Sequence, residues 1–246
     1  MTNSYNKFAS IYDDLMYDIK YDKWKEYIDS IYKKYEIDTK NILEMACGTG
    51  SLTKEMSKSY KIIAFDKSES MLVEAYEKLQ GIKNVRLLNL DMTDFDLARE
   101  FDSVVCACDS INYIQSVDDL LKCFENAYKH LRKEGAFVFD INSEYKLKYI
   151  IGNNTFTDEV DNMLYIWQND FDEEMNMASF NINYFVEIDD GIYERFTEVH
   201  EEKVYSVETI IDTLKKAGFE KIDSYDEFTF DEANEKTKRI NFVAIK

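Results

Sequence analysis

Glu44, Gly48, Gly50 and Asp66 have the types and spacing to hold a charged small molecule. Ile42-Leu43-Glu44-Met45-Ala46-Cys47-Gly48-Thr49-Gly50 runs from apolar residues into a loop of small ones, and Ser51-Leu52-Thr53 opens a helix. The chain has seven glycines, and two of them stand in this one turn, where glycine admits positive φ or a close ligand. A glycine turn between a strand and a helix is where doubly wound α/β folds bind nucleotide-like molecules. A second apolar run, Ile62-Ile63-Ala64-Phe65, ends in Asp66, sixteen residues past Gly50. That carboxylate falls at the carboxyl end of the next strand, suited to ribose hydroxyls. A dinucleotide site asks for a third glycine and a bare helix N-terminus for pyrophosphate. Here the third position is Thr53, and the acid Glu44 precedes the loop. A buried acid repels pyrophosphate and suits a ligand with positive charge, such as a sulfonium or an ammonium.

The loop, followed by Phe65-Asp66-Lys67-Ser68-Glu69-Ser70-Met71-Leu72, resembles the class I S-adenosylmethionine-dependent methyltransferases of the bacterial small-molecule type. Leu88-Asn89-Leu90-Asp91-Met92, Phe101-Asp102-Ser103-Val104-Val105 and Leu131-Arg132-Lys133-Glu134-Gly135 match further blocks in order. The likeness covers roughly residues 1–150 and resumes near 204–246. It implies S-adenosyl-L-methionine as cofactor and a Rossmann-like fold. Glu44, Ala46, Cys47, Gly48 and Gly50 would lie against its methionine part. Asp66, with Lys67 beside it, would take the ribose hydroxyls. Met71 would pack on adenine, Asp91 would accept from the adenine amino group with Met92 adjoining, and backbone near Cys108 would hold the ammonium. Tyr5-x-x-Phe8-Ala9-x-x-Tyr12-Asp13-x-Leu15-Met16 resembles the N-terminal helix of such enzymes, whose aromatics, here Tyr5 and Tyr12, close over the cofactor. Ala46 replaces a glycine frequent in the family, and a negative φ is expected there.

The elements that must position these residues alternate. Aromatic and aliphatic residues at spacings of three and four predict two helical pieces over 4–35. Strands at 42–46, 61–65, 85–89, 102–107 and 135–141, with helices from about 50, at 68–80 and at 117–132, imply a parallel sheet covered on both faces. Residues 155–203 alternate polar and apolar. Breaks at Asp172-Glu173-Glu174 and Asp189-Asp190-Gly191 predict three or four antiparallel strands. A helix at 206–217, capped by Gly218, and strands near 219–229 and 238–245 end the fold. The expected division is a helical lid at 1–38, a binding domain at 39–148 and 204–246, and an inserted β subdomain at 149–203 covering the acceptor site.

A chain of 246 residues can bury a full core. No apolar run is long enough to span a membrane, no signal peptide is evident, and four cysteines lack disulfide-framework spacing, so a cytoplasmic location is expected. The net charge of −19 argues against nucleic acid as partner; Lys215-Lys216 and Lys236, Lys238 and Arg239 are outnumbered by acids and read as solvated surface. Cys47 and Cys108 should approach each other as small buried thiols; a metal site is not expected with His130 and His200 the only histidines. His200 reads as an exposed strand histidine or, less simply, a base near the site. Asn112 and Tyr113 either orient the acceptor or begin the next loop. The reading is methyl transfer to a small-molecule acceptor. An RNA or protein methyltransferase and a catalytically silent cofactor-binding module are the alternatives, and no catalytic residue or oligomeric state is assigned.

Overall fold

A computed structural model describes residues 2–246, with side chains from Phe8 onward. Helices α1 (Thr2–Leu15) and α2 (Tyr21–Lys34) precede an alternation of β1 (Asn41–Met45), α3 (Ser51–Met56), β2 (Lys61–Asp66), α4 (Glu69–Lys78), β3 (Val85–Asn89), β4 (Phe101–Cys106), α5 (Val117–His130) and β5 (Leu131–Asn142). A second group follows: β6 (Thr155–Val160), β7 (Met163–Asp172), β8 (Met177–Asp189) and β9 (Ile192–Lys203). Then α6 (Val207–Ala217), β10 (Lys221–Asp226) and β11 (Arg239–Ile245) return to the first sheet. That sheet has seven strands in the order β10-β11-β5-β4-β1-β2-β3.

Both faces of this sheet are buried, as a parallel sheet demands. Alternation assigns each side: Leu43, Val104, Phe137 and Phe139 face the core under α5 and α6. Ile42, Val105, Val138 and Val243 face α2 and α3. Phe139 stacks on Phe137 and Phe242 with centroids 4.6 and 5.1 Å apart, each ring stabilising the fold by roughly 1.5–3 kcal/mol through burial.

One strand departs from the parallel arrangement expected. β11 runs against both β5 and β10, because a loop over 227–238 rather than a crossover helix joins it to β10. The anticipated inserted strands form a separate four-stranded antiparallel sheet, β6-β7-β8-β9, with the Asp189-Asp190-Gly191 turn between β8 and β9. Gly218 ends α6 at φ +112. Helix α1 lies between α4 and this sheet: Phe8, Ile11, Tyr12 and Leu15 pack with Met71 of α4 and with Met163, Tyr184 and Phe196.

Candidate functional site

The switch in strand order falls between β1 and β4, and the loops there open into a cavity of about 2010 Å³. Its floor is the carboxyl ends of β1, β2 and β4. Its roof is α1 and the inner face of the antiparallel sheet. Ordinary small-molecule pockets span ~300–1,000 Å³, so the space can take two molecules side by side.

The loop after β1 takes left-handed backbone at every second residue: Ala46 at φ +53, Gly48 at +53 and Gly50 at +76. The negative φ expected at Ala46 is therefore wrong. The chain must turn sharply enough for the Cys47 N–H to donate to the Phe65 carbonyl at 2.9 Å, and alanine accepts the strain. The two glycines divide the work. A Cβ at Gly48 would stand in open space on the cavity wall, whereas one at Gly50 would meet Leu79 Cδ1 at 2.9 Å and Ala75 Cβ at 3.2 Å. Gly50 thus lets α3 approach α4, and Gly48 leaves room for a ligand.

Asp66 closes the loop from β2. Its Oδ2 accepts from the Gly48 N–H at 2.8 Å and its Oδ1 from the Ser68 N–H at 2.8 Å, leaving further lone pairs toward the cavity. Burial raises its pKa, and these backbone donors hold it down only in part. Glu44 lies beneath the loop, 2% exposed, with Oε2 lacking a hydrogen-bond partner. Burial pushes its carboxyl up to about 8, the Thr53 hydroxyl opposing and the Asp66 charge adding to the rise.

That shift carries a prediction. The unfolded chain releases the Glu44 proton near 4.5 and the ligand-free folded protein releases it only near 8. Stability contributed by the neutral acid is therefore present below about pH 4.5 and lost as pH rises through about 8. Glu44→Gln is expected to flatten the decline across that window by about 1.4 kcal/mol per pH unit, read by urea unfolding of the ligand-free protein.

The remaining expected residues divide between wall and support. Lys67, Met71, Asp91 and Met92 line one end of the cavity; Tyr12, Ala46, Cys108 and Tyr113 line the middle. Asp91 is already engaged, taking Lys67 Nζ at 2.7 Å, the Thr93 N–H at 2.9 Å and the Thr93 hydroxyl at 2.7 Å. Burial alone would raise it, but these donors hold its carboxyl below the usual range. Glu44, Cys47 and Gly50 sit behind the wall rather than on it. Tyr5 belongs to α1, and its side chain lies outside the described residues. Cys47 and Cys108 join the same apolar cluster, and burial raises both thiols.

Asp13, one residue past Tyr12, has a role its sequence context did not reveal. It takes Thr49 Oγ1 at 2.7 Å, Ser51 Oγ at 3.0 Å and Lys78 Nζ at 2.6 Å, pinning the roof helix to the glycine loop and α4. Burial would raise its pKa, and these three partners lower it on balance.

At the far end, beyond β4, Cys108 and Asp109 are two consecutive non-glycine residues at positive φ, +60 and +54. The strain is held by the Asp109 N–H donating to Asp140 Oδ2 at 2.9 Å. Arg239, read from sequence as surface, is in fact buried. It pairs with Asp109 at 2.7 Å and Glu227 at 3.3 Å, and with the fully buried Asp140. Asn112 is fully buried and structural, its amide serving the Asn142 N–H and the Asn142 and Lys203 carbonyls. Tyr113 instead presents its ring to the cavity, edge-on to His200 at 6.1 Å. His200 is not the exposed strand residue expected. It lines the cavity between Phe8, 5.1 Å away, and Tyr113, and burial lowers its pKa, keeping it neutral.

Comparison with known proteins agrees with this geometry. A family profile described as a methyltransferase domain matches residues 42–135, which hold the glycine loop, Asp66 and β4. YqeM of Bacillus subtilis (strain 168), named as a methyltransferase, is 32% identical over 246 residues, 98% of this chain and 97% of its own. The crystal structure of an S-adenosylmethionine-dependent methyltransferase from Clostridium acetobutylicum ATCC 824 superposes with a TM-score of 0.88 at 38% identity over 99% of both chains. Over 104 residues, 42% of this chain and 41% of the relative, the chain is 30% identical to the dTDP-4-amino-2,3,4,6-tetradeoxy-D-glucose N,N-dimethyltransferase of Saccharopolyspora spinosa. A glycine loop closed by Asp66, on a sheet shared from end to end with such proteins, places the chain among the class I S-adenosylmethionine-dependent methyltransferases, with S-adenosylmethionine as its cofactor.

Proposed function

We propose that the chain methylates an amino nitrogen of a small, ring-bearing molecule in the cytoplasm, with α1 and the inserted sheet as the lid over both ligands. The observation that carries this reading is the cavity itself. It is large enough for two small molecules, roofed by aromatic rings, and lined at its acceptor end by Asp109, Glu202 and Glu227. A net charge of −19 and these acids favour a cationic amine over a polyanion. The relative from Saccharopolyspora spinosa, by its name, methylates an amino sugar. Four free cysteines support a reducing compartment, and no helix among the described residues is long and apolar enough to cross a membrane.

The residues present fit the cofactor. The space over Gly48 is one that a side chain would fill, Asp66 keeps acceptor lone pairs for a diol, and Glu44 is a buried acid near a cationic ligand. Gly48 would cradle the methionine part, the backbone at Cys108 its ammonium, and Asp66 the ribose. Met71 and Met92 would sandwich adenine, and Asp91 would accept its amino group through the lone pair that Lys67 and Thr93 leave. Tyr12 would close the site from above. When bound, the cofactor supplies an activated methyl group on a sulfonium. The chain's own contribution is alignment and exclusion of water by the roof, an effect that can reach about 7–11 kcal/mol.

The test is incubation with methyl-labelled S-adenosylmethionine and a panel of amino sugars, aromatic amines and phenols. Label is expected in amines. Transfer only to phenols, to RNA or to protein would overturn the reading.

A further inference from the structure

The inner face of β9 inverts the polarity normal for a buried strand. Val199 is 58% exposed, while Glu198 and Glu202, on the opposite face by alternation, are buried and His200 half-buried, with His200 and Glu202 at the cavity. Strands that bury one face put apolar residues there, so this stripe departs from the packing rule and marks a place where polarity is used. Glu202 is the member of the stripe that reaches the polar groups at the end of β5. Its Oε2 accepts from Asn142 Nδ2 at 2.7 Å, and Asn142 Oδ1 accepts from Lys146 Nζ at 2.7 Å. One amide therefore joins a carboxylate to an ammonium, and all three line the cavity.

The arrangement joins two adjoining segments to a distant strand. β5 supplies Asn142 at its end, and a π-helical turn over Tyr145–Ile151 supplies Lys146 four residues on. β9 supplies Glu202. Asp109 and Glu227, acids at this end of the cavity, are tied to Arg239, whereas the Glu202 carboxylate accepts from a neutral amide, that of Asn142.

We propose that Glu202 is the general base of the reaction, taking a proton from the ammonium of the acceptor, with Asn142 and Lys146 as the residues that position it and set its charge. This rests on the amine reading above. An ammonium has no lone pair to offer. One of its N–H bonds breaks, the proton forms an O–H bond on Glu202, and the electron pair of the broken bond remains on nitrogen as the nucleophile. The groups facing Glu202 are Asp109 after β4, Lys146 of the π-helical turn, Arg239 of β11 and Tyr113 of the turn after Asp109. Burial first, and then the Asp109 charge, push Glu202 up to about 8, against the pull of Asn142, Lys146 and Arg239. A base in that range is matched to a proton exchanged near neutral pH.

The test needs no acceptor. Sinefungin carries an ammonium where S-adenosylmethionine carries its transferable methyl, and S-adenosylhomocysteine carries nothing there. Calorimetric affinities of both are compared in the parent protein and in Glu202→Gln. The parent is expected to prefer sinefungin, the preference growing as pH rises through about 8 and Glu202 ionises. In Glu202→Gln the preference should fall about tenfold and lose its pH dependence, with S-adenosylhomocysteine binding retained as proof of folding. Lys146→Met removes a nearby positive charge, so its pH midpoint should move upward. A sinefungin preference unchanged in Glu202→Gln, with S-adenosylhomocysteine still bound, would overturn the proposal. The amine reading fails separately, in the acceptor panel.

Discussion

Asp66→Ala is expected to weaken S-adenosylmethionine binding by roughly a hundredfold or more. The carboxylate accepts from Gly48 and Ser68 backbone N–H groups, so it shapes the loop as well as taking the ribose in the proposed arrangement. Hydrogen bonds to a charged group contribute about 1.5–3 kcal/mol each, and a ribose diol offers two. Two such losses reach about a hundredfold before any loosening of the loop is counted. Calorimetric titration with S-adenosylmethionine, S-adenosylhomocysteine and NAD reads the effect, NAD serving as the ligand that neither protein should bind. The pH dependence has a definite sign. Asp66 accepts from hydroxyls more strongly when ionised and its pKa is raised, so affinity should begin to fall in milder acid than an ordinary aspartate would require. An affinity unchanged in Asp66→Ala would move the ribose to another part of the cavity.

Arg239→Met is expected to cost about 3–5 kcal/mol of folding stability at neutral pH. The side chain is 11% exposed and pairs with Asp109, Asp140 and Glu227; Asp140 is 0% exposed. Taking away the guanidinium leaves two carboxylates in low dielectric without a counter-ion. Burial already raises Asp140, and Arg239 is what pulls it back. Without Arg239 its folded pKa climbs further above the unfolded one, so the variant should regain stability as pH falls and the acid takes a proton. Denaturant unfolding at neutral and acidic pH would show this. Asp140→Asn added to Arg239→Met should recover part of the loss, because it deletes the charge left stranded. Equal stability of Arg239→Met and the parent would mean that water reaches the pair and screens it.

The floor of the site was legible in the sequence because it is made by short-range pattern. A strand, a small-residue loop and a helix place Gly48, and the next strand places Asp66, so spacing alone brings them together. Met71, Asp91 and Cys108 follow the same logic at the ends of neighbouring strands and helices. Gly50 illustrates its limit: spacing puts two glycines in the turn, but only packing reveals that one of them faces Ala75 and Leu79. The end of the cavity beyond β4 was opaque for a different reason. Arg239 meets Asp140 through the antiparallel register of β11 on β5, which pairs Arg239 with Asn142 and Asn241 with Asp140. No local pattern encodes a pairing across so many residues. Glu202 and His200 could have been found, since an inward stripe of polar residues alternating with Val199 is visible in one strand once its buried face is known. Charge counting worked against Arg239 by grouping it with Lys236 and Lys238, which the fold leaves at the surface.

The place of β11 between β5 and β10 has a further consequence for how the protein matures. During synthesis β1 to β5, the cofactor floor, emerge well before the strand that inserts beside them. Until β11 docks, Asp109 and Asp140 face each other without the guanidinium that balances them. A folding intermediate that holds the floor but not β11 therefore has a loop shaped for cofactor beside an over-acidic chamber. Contacts of long sequence separation form late because their loop closure is costly. The charge balance at Asp109 and Asp140 is thus a property of the completed sheet, supplied by the strand that closes it.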